Sequence, residues 1–210
     1  MIAFPISLYQ FLTNIGSILL CMEPDRMWFG AMSLKIQYLS KKLLKEVLRS
    51  VEARSEIDRI FIDTLKQYEE IRLASDEDFS IIVFDSAPML FKVKGYDAYI
   101  PTLYALNYFY NTKGVRILPT VVVDEGAVKP LLRGADIMIP GIRKVVGSFS
   151  KGQLVAVMHP SERYFIVVGI ALMDSIGIAP TVKGKCISNI SHLEDNVWKA
   201  SLQLAKSLSK

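Results

Sequence analysis

The chain has 210 residues with 51% hydrophobic side chains, a length that suits one large or two small domains and a composition that excludes an intrinsically disordered chain. Its two cysteines, Cys21 and Cys186, are too few for a disulfide framework or for paired zinc ligands, so we expect buried, inert thiols in a reducing compartment. The net charge of +4 is too small to indicate a partner until it is located along the chain.

The N-terminal segment differs from the rest because no charged side chain occurs between Ile2 and Met22. This apolar stretch has the length of a membrane span, but polar residues and a proline interrupt it, and no basic residue precedes it as in a signal peptide. We therefore interpret residues 1–31 as an N-terminal extension, and as a start-site artefact if translation begins at Met32, Met22 or Met27. A weak membrane span is the alternative interpretation.

Residues 32–118 carry helix and strand patterns that we assign to a first domain of mixed α/β structure. Ser40 is predicted to cap the first helix, which continues through Val51. Pro101 is predicted to occupy the first position of the last helix, where the missing N–H of proline loses no hydrogen bond. In chain order, the predicted elements are a strand at 35–39, helices at 41–51 and 57–65, strands at 70–74, 79–84, 89–93 and 98–100, and a helix at 103–110.

Residues 119–210 are assigned to a second domain, because the pattern changes after Leu118 to short strands bounded by turn residues. Short strands at this spacing are typical of a small closed or nearly closed β-barrel. The whole chain is therefore predicted to be an α+β protein. The predicted elements of the second domain are strands at 121–123, 135–139, 153–159, 164–172 and 187–190, a short helix at 126–132 and a C-terminal helix at 197–208.

The excess positive charge lies in the last 130 residues. Residues 81–118 carry four basic and two acidic side chains and residues 119–210 carry eleven and seven, whereas residues 32–80 carry nine and ten. A surface that binds nucleic acid is therefore expected first in the C-terminal part of the chain.

No familiar catalytic motif occurs in the sequence. The dinucleotide-binding glycine fingerprint, the phosphate loop of nucleotide hydrolases, the paired histidines of zinc proteases and the serine nucleophile elbow are all missing. The two histidines, His159 and His192, lie 33 residues apart and neither has a second histidine near it in sequence, so we expect structural roles for both. We expect no catalysis, no metal and no cofactor.

One run of sequence, residues 123–142, predicts a phosphate-docking surface. Asp124 can cap a short helix, from which Lys129 and Arg133 project one turn apart, and Gly134 ends that helix in a sharp turn. A backbone without a Cβ can approach a ribose-phosphate closely, and phosphate contacts supply most nucleic-acid affinity. The alternative is a tight connection beside two basic residues that are merely solvated.

This run resembles the start of a PUA domain, the RNA-binding module named after pseudouridine synthases and archaeosine transglycosylases. The pattern is most similar to that of the malignant-T-cell-amplified-sequence proteins, with their relatives within ligatin and their archaeal homologues. The resemblance covers residues 32–199 and departs from the family at Ser191-His192, where the family usually has His-Tyr. Further similar segments are Tyr99-Ile100-Pro101-Thr102-Leu103, Ile117-Leu118-Pro119, Val167-Val168-Gly169-Ile170, Gly184-Lys185, Asn189-Ile190, and Asp195 with Trp198.

The resemblance implies a pre-PUA α/β domain followed by a small PUA pseudobarrel, in a cytoplasmic protein without chemistry of its own. It implies a surface that engages structured RNA through the short helix and the glycine turn. The RNA-facing positions that it implies are Lys129, Arg133, Gly134, Ala135 and Asp136, with Arg143 and Lys144 at the end of the following strand as weaker candidates.

The partners that the resemblance implies are the acceptor end of tRNA and the RNA of the small ribosomal subunit, during translation initiation and subunit recycling. A second protein with an SUI-type initiation-factor fold is the implied protein partner. Two alternatives stay open at this point. The chain is an accessory subunit that targets a pseudouridine synthase or a transglycosylase to RNA, or it is a protein-protein scaffold whose barrel has lost contact with RNA.

Overall fold

Two β-sheets, the first antiparallel and the second mixed, are joined by helices in the part of the chain that the structure describes, residues 33–179 and 181–208 of a computed structural model. The predictions made for residues 1–31 and for Cys21 lie outside the described residues. Within the described residues, no helix has the length and apolarity that crossing a bilayer requires.

The first sheet has five antiparallel strands in the order β1-β2-β3-β4-β5. The start of the first helix is confirmed as predicted at Ser40, because the Leu43 N–H donates to Oγ of Ser40 at 3.2 Å. The elements of this half are β1 (Lys35–Tyr38), α1 (Lys41–Glu52), α2 (Arg59–Leu65), β2 (Ile71–Ser75), β3 (Phe79–Phe84), β4 (Ala87–Val93), β5 (Ile100–Pro101) and α3 (Leu103–Lys113).

The prediction for Pro101 is wrong. Pro101 lies in β5, where it pairs with Leu90 of β4, and Thr102 caps α3 instead. The Thr102 hydroxyl accepts a hydrogen bond from the Ala105 N–H at 3.0 Å and donates one to the Pro88 carbonyl at 2.6 Å. A threonine at this position satisfies an orphan donor of the helix and ties the helix to β4, which a proline cannot do.

The second sheet has six strands in the order β7-β11-β10-β9-β6-β8, with β6 and β9 parallel and the other pairs antiparallel. This arrangement, together with the first sheet, confirms the α+β class and the pseudobarrel. Its elements are β6 (Thr120–Val123), α4 (Glu125–Leu131), β7 (Ile137–Met138), β8 (Ile142–Val146), β9 (Leu154–Met158), β10 (Phe165–Ala171), β11 (Lys185–His192) and α5 (Asn196–Ser207).

One strand of the second sheet was not predicted. The expected strand at 135–139 contains only β7, because a 3-10 turn over Ile139–Gly141 interrupts it, and the chain then enters β8. Among the described residues, strand β8 stands at the end of the strand order and pairs with β6 alone, which leaves Arg143 and Lys144 exposed. Its sequence therefore lacks the apolar pattern by which a buried strand is predicted.

A buried asparagine on α3 joins the helix to the second sheet. Asn107 is 2% exposed, and its amide binds both backbone groups of Phe165 in β10: the Phe165 N–H donates to Oδ1 at 2.8 Å, and Nδ2 donates to the Phe165 carbonyl at 3.1 Å. Helix α3 packs against β4 as well as β10, so it bridges the two sheets. Cys186 is fully buried in β11, as expected for an inert thiol, and burial raises its pKa.

Candidate nucleic-acid interface

The short helix α4 and the turn after it form as the sequence predicts, with one difference. Asp124 caps the helix, since its Oδ1 accepts from the Ala127 N–H at 2.8 Å, and Gly134 adopts a left-handed conformation with φ of +86°. The helix ends with Leu132 as its C-cap, so Arg133 lies in the turn and not on the helix. The Arg133 N–H bonds to the Pro130 carbonyl at 3.0 Å, which tightens the chain into this turn.

The exposed surface of this turn is basic. Lys129, Arg133, Gly134 and Ala135 are all exposed, and neither cation forms an ion pair with any residue that the structure describes. Two unpaired cations therefore precede, along the chain, a stretch of backbone that carries no side chain at Gly134. Such a surface can accept a phosphate group through charge and close backbone approach.

Asp136 holds the turn in place. Its Oδ2 lies 2.8 Å from Nζ of Lys185, and its Oδ1 accepts from the Asn189 N–H at 3.0 Å. Two hydrogen bonds hold the pKa of the Asp136 carboxyl below its usual range. The one from Lys185 has the larger effect, and the one from the Asn189 N–H adds to it. The structure therefore shows this carboxylate clamped to β11, and its place on an RNA-facing surface stays a prediction.

Asn189 is a positioning residue whose role was not predicted from the sequence. Its Nδ2 donates to the Leu131 carbonyl at 3.1 Å and to the Ala135 carbonyl at 3.0 Å, so one amide holds both ends of the glycine turn. The sequence signal that could have indicated this role is the Asn189-Ile190 pair of the family resemblance. Its contact with Ala135 spans 54 residues, so no local pattern predicts it.

Replacing Asp136 by alanine is expected to lower the free energy of unfolding by about 1 kcal/mol at neutral pH, because the Asn189 N–H loses its acceptor. The carboxyl is 25% exposed, so solvent screens the ion pair with Lys185 and reduces its share. Because the folded-state pKa lies below the ordinary value of 3.8, the clamp stabilises the fold above that pH, and its contribution is lost as pH falls through the lowered pKa.

Urea denaturation from pH 7 toward pH 3 measures the effect of Asp136→Ala. The difference in the free energy of unfolding between wild type and variant should become smaller as the pH falls. A difference that stays constant would contradict the clamp. Asp97→Ala is the control, because Asp97 also pairs with a lysine but its side chain is 96% exposed, so little change is expected.

Among the described residues, no recorded hydrogen bond or ion pair joins the Arg143 or Lys144 side chain to the glycine turn. Both are exposed on β8, which stands at the opposite end of the strand order from β7. Lys144 pairs with Glu162 at 2.8 Å, and Lys144, Arg116 and Arg143 together lower the pKa of the Glu162 carboxyl. These residues form a second basic group around one acid.

The two histidines occupy different surroundings. His159 stacks on the Tyr164 ring with centroids 4.6 Å apart, and partial burial lowers the pKa of its imidazole. His192 places Nδ1 2.7 Å from the Leu193 carbonyl, and a Cβ built on Gly134 would lie 3.6 Å from its Nε2. The imidazole of His192 therefore lies directly beside the glycine turn.

Comparison with known proteins places this surface in a recognised module. The PUA domain family model matches residues 119–193. An uncharacterized protein of Methanocaldococcus jannaschii is 34% identical over 78% of this chain and 95% of its own length. Translation machinery-associated protein 20 of Saccharomyces cerevisiae is 27% identical over 80% of this chain and 92% of its own.

A human relative and a solved structure extend the comparison. Malignant T-cell-amplified sequence 2 of Homo sapiens is 30% identical over 61% of this chain and 70% of its own length. The crystal structure of a hypothetical protein from Pyrococcus horikoshii superposes with a TM-score of 0.68 at 30% identity, covering 80% of this chain and 99% of that one. The likeness thus includes the first sheet as well as the second.

Proposed function

Because the chain belongs to the PUA-domain family that includes the malignant-T-cell-amplified-sequence proteins and translation machinery-associated protein 20, we propose that it is a non-catalytic RNA-binding factor of the translation machinery. The observation that carries the proposal is the pair of unpaired cations, Lys129 and Arg133, beside the bare backbone of Gly134. Phosphate contacts of this kind position a protein on RNA without reading its sequence.

The proposed docking surface consists of Lys129, Arg133, Gly134 and Ala135, which we call the glycine-turn surface. Asp136 and Asn189 support this surface, because their hydrogen bonds fix the turn to β11. Arg143 and Lys144 extend the basic character of the same domain on a separate strand.

The proposed ligands are structured RNAs, either the acceptor end of tRNA or the RNA of the small ribosomal subunit, in the cytoplasm. A separate protein with an SUI-type initiation-factor fold is the proposed partner. In this proposal residues 32–118 are the pre-PUA domain and residues 119–210 the PUA domain with its C-terminal helix.

Co-sedimentation with purified small ribosomal subunits, combined with fluorescence anisotropy on tRNA, tests this function. The full chain is expected to travel with the subunits at low salt and to be released steeply as salt rises, since phosphate contacts depend on counterion release. If the chain binds neither the small ribosomal subunits nor tRNA, the proposal is overturned. Purification with an RNA-modifying enzyme in place of ribosomal subunits would favour the accessory-subunit role instead.

A further inference from the structure

Strand β8 leaves one edge of the second sheet unpaired among the described residues. It stands at the end of the strand order and pairs with β6 alone. In an antiparallel pair, every second residue turns its N–H and C=O away from the partner strand. Apart from the bonds to β6, the structure records no backbone hydrogen bond of residues 143–146 to another described residue. This edge, which we call the β8 edge, therefore offers donors and acceptors to an added strand.

A β-bulge turns two consecutive cations of the β8 edge to solvent. The register of the β6-β8 pair shifts between Val122 and Val123, which makes Arg143 the extra residue of β8. A bulge of this kind re-aims the side chains next to it. Arg143 and Lys144 are both exposed, whereas the three apolar side chains of β8 are half-buried. The β8 edge therefore combines positive charge with apolar surface that is partly open to solvent.

A third cation acts on the same place from the chain before β6. The half-buried Arg116 holds its guanidinium over the Tyr110 ring, 5.1 Å from the ring centroid, and its Nε has no hydrogen-bond partner among the described residues. The 2.8 Å hydrogen bond from Lys144 lowers the pKa of the Glu162 carboxyl most, and the charges of Arg116 and Arg143 lower it further. Three cations therefore act on one carboxylate, which leaves an excess of positive charge.

Glu162 indicates which kind of group this cluster binds. Its side chain is 39% exposed, and its backbone φ of +55° lies in the left-handed region, which glycine adopts more readily than glutamate. The Tyr110 hydroxyl donates to the Glu162 carbonyl at 3.0 Å, which helps to hold this residue beside the cations. Because a carboxylate of the chain itself already pairs with Lys144, the cluster is suited to carboxylate ligands.

We propose that the β8 edge binds an extended, acidic segment of a partner protein, which adds to the second sheet as a strand. The backbone of this segment pairs with residues 143–146, and its carboxylates contact Arg143, Lys144 and Arg116. Its apolar side chains cover the half-buried side chains of β8. In strand addition of this kind, main-chain hydrogen bonds supply affinity and the side chains supply specificity. The inference goes beyond RNA binding and does not depend on it.

Two other occupants match the β8 edge less well. A second copy of this chain would bring its own Arg143 and Lys144 against the same residues, and like charges opposite each other destabilise a strand pair. An RNA backbone would pair with the cations, as the family resemblance implies for Arg143 and Lys144, but it would leave the strand edge and the apolar side chains unused. An acidic polypeptide matches the charge, the edge and the apolar surface together.

Fluorescence anisotropy of the full chain with a labelled octapeptide of alternating glutamate and valine tests the inference. The same peptide with every backbone nitrogen methylated keeps its charge but lacks main-chain donors, so wild type is expected to bind it at least about tenfold more weakly. Arg143→Glu/Lys144→Glu should weaken binding of the unmethylated peptide by on the order of tenfold, because two attractions become repulsions. Circular dichroism checks that this variant stays folded.

Lys41→Glu/Lys45→Glu is the matched control, because it changes the net charge equally at two exposed residues of α1, and it should bind the peptide as wild type does. The proposal is overturned if wild type binds both peptides equally or neither of them, or if Arg143→Glu/Lys144→Glu binds the peptide unchanged. It is also overturned if that variant loses more affinity for tRNA than for the peptide, since RNA then occupies the β8 edge. RNA docking on the glycine-turn surface is measured separately and stands or falls on its own.

Discussion

Replacing Lys129 and Arg133 together by glutamate is expected to weaken tRNA binding by on the order of 100-fold, because two phosphate contacts become repulsions. The fold should be unaffected, since both side chains are exposed and neither has an ionic partner among the described residues. Anisotropy titrations across a salt series measure both the affinity and its salt dependence. The negative slope of log K against log salt should become shallower by roughly two, one for each lost phosphate contact.

The double variant Lys41→Glu/Lys45→Glu is the matched control. Lys41 and Lys45 are four residues apart like the test pair, are exposed on α1, and also lack ion pairs in the described chain, so the net-charge change is the same. If this control weakens tRNA binding as much as Lys129→Glu/Arg133→Glu does, binding depends on overall charge and the glycine-turn surface is not the docking site.

Replacing Gly169 by alanine is expected to lower the free energy of unfolding by about 3 kcal/mol or more. A Cβ at this position would lie 2.2 Å from the Ser188 carbonyl oxygen and 2.7 Å from Cγ2 of Ile187, so β10 and β11 would have to separate. Since Asn189 lies next on β11 and holds the glycine turn, we expect the RNA affinity of any folded fraction to fall as well. Urea denaturation followed by circular dichroism measures the stability.

Gly126→Ala separates this clash from the general effect of adding a methyl group to a glycine. A Cβ on Gly126 would have the Oδ1 of Asp124 as its nearest neighbour, at an ordinary 3.4 Å, and the residue lies in helix α4. Alanine favours a helix over glycine by about 1 kcal/mol, so this variant should be as stable as wild type or slightly more so. A Gly169→Ala protein as stable as Gly126→Ala would show that β10 and β11 do not approach closely.

Local signals in the sequence predicted much of the fold. Ser40 and Asp124 cap helices as expected because a capping side chain acts on an N–H three residues away. The buried strands of both sheets were predictable from their apolar runs. The role of Thr102 was not, because its second hydrogen bond joins a residue 14 positions earlier in the chain.

Contacts between distant residues account for what the sequence did not predict. Strand β8 is stabilised by pairing with β6, and its own pattern of exposed basic residues gives no strand signal. The bond network of Asn107 with Phe165 spans 58 residues. At the candidate site, the glycine turn was predictable from local sequence and from the family resemblance, whereas the clamp of Asp136 and Asn189 depends on β11, more than 50 residues away.

Ultraviolet crosslinking of the full chain to tRNA that contains 4-thiouridine, with mass spectrometry of the crosslinked peptides, tests most directly whether RNA docks on the glycine-turn surface. Crosslinks are expected in peptides that contain residues 124–136. Crosslinks confined to β1 and α1, residues 35–52, with none between residues 124 and 136, would contradict RNA docking at Gly134.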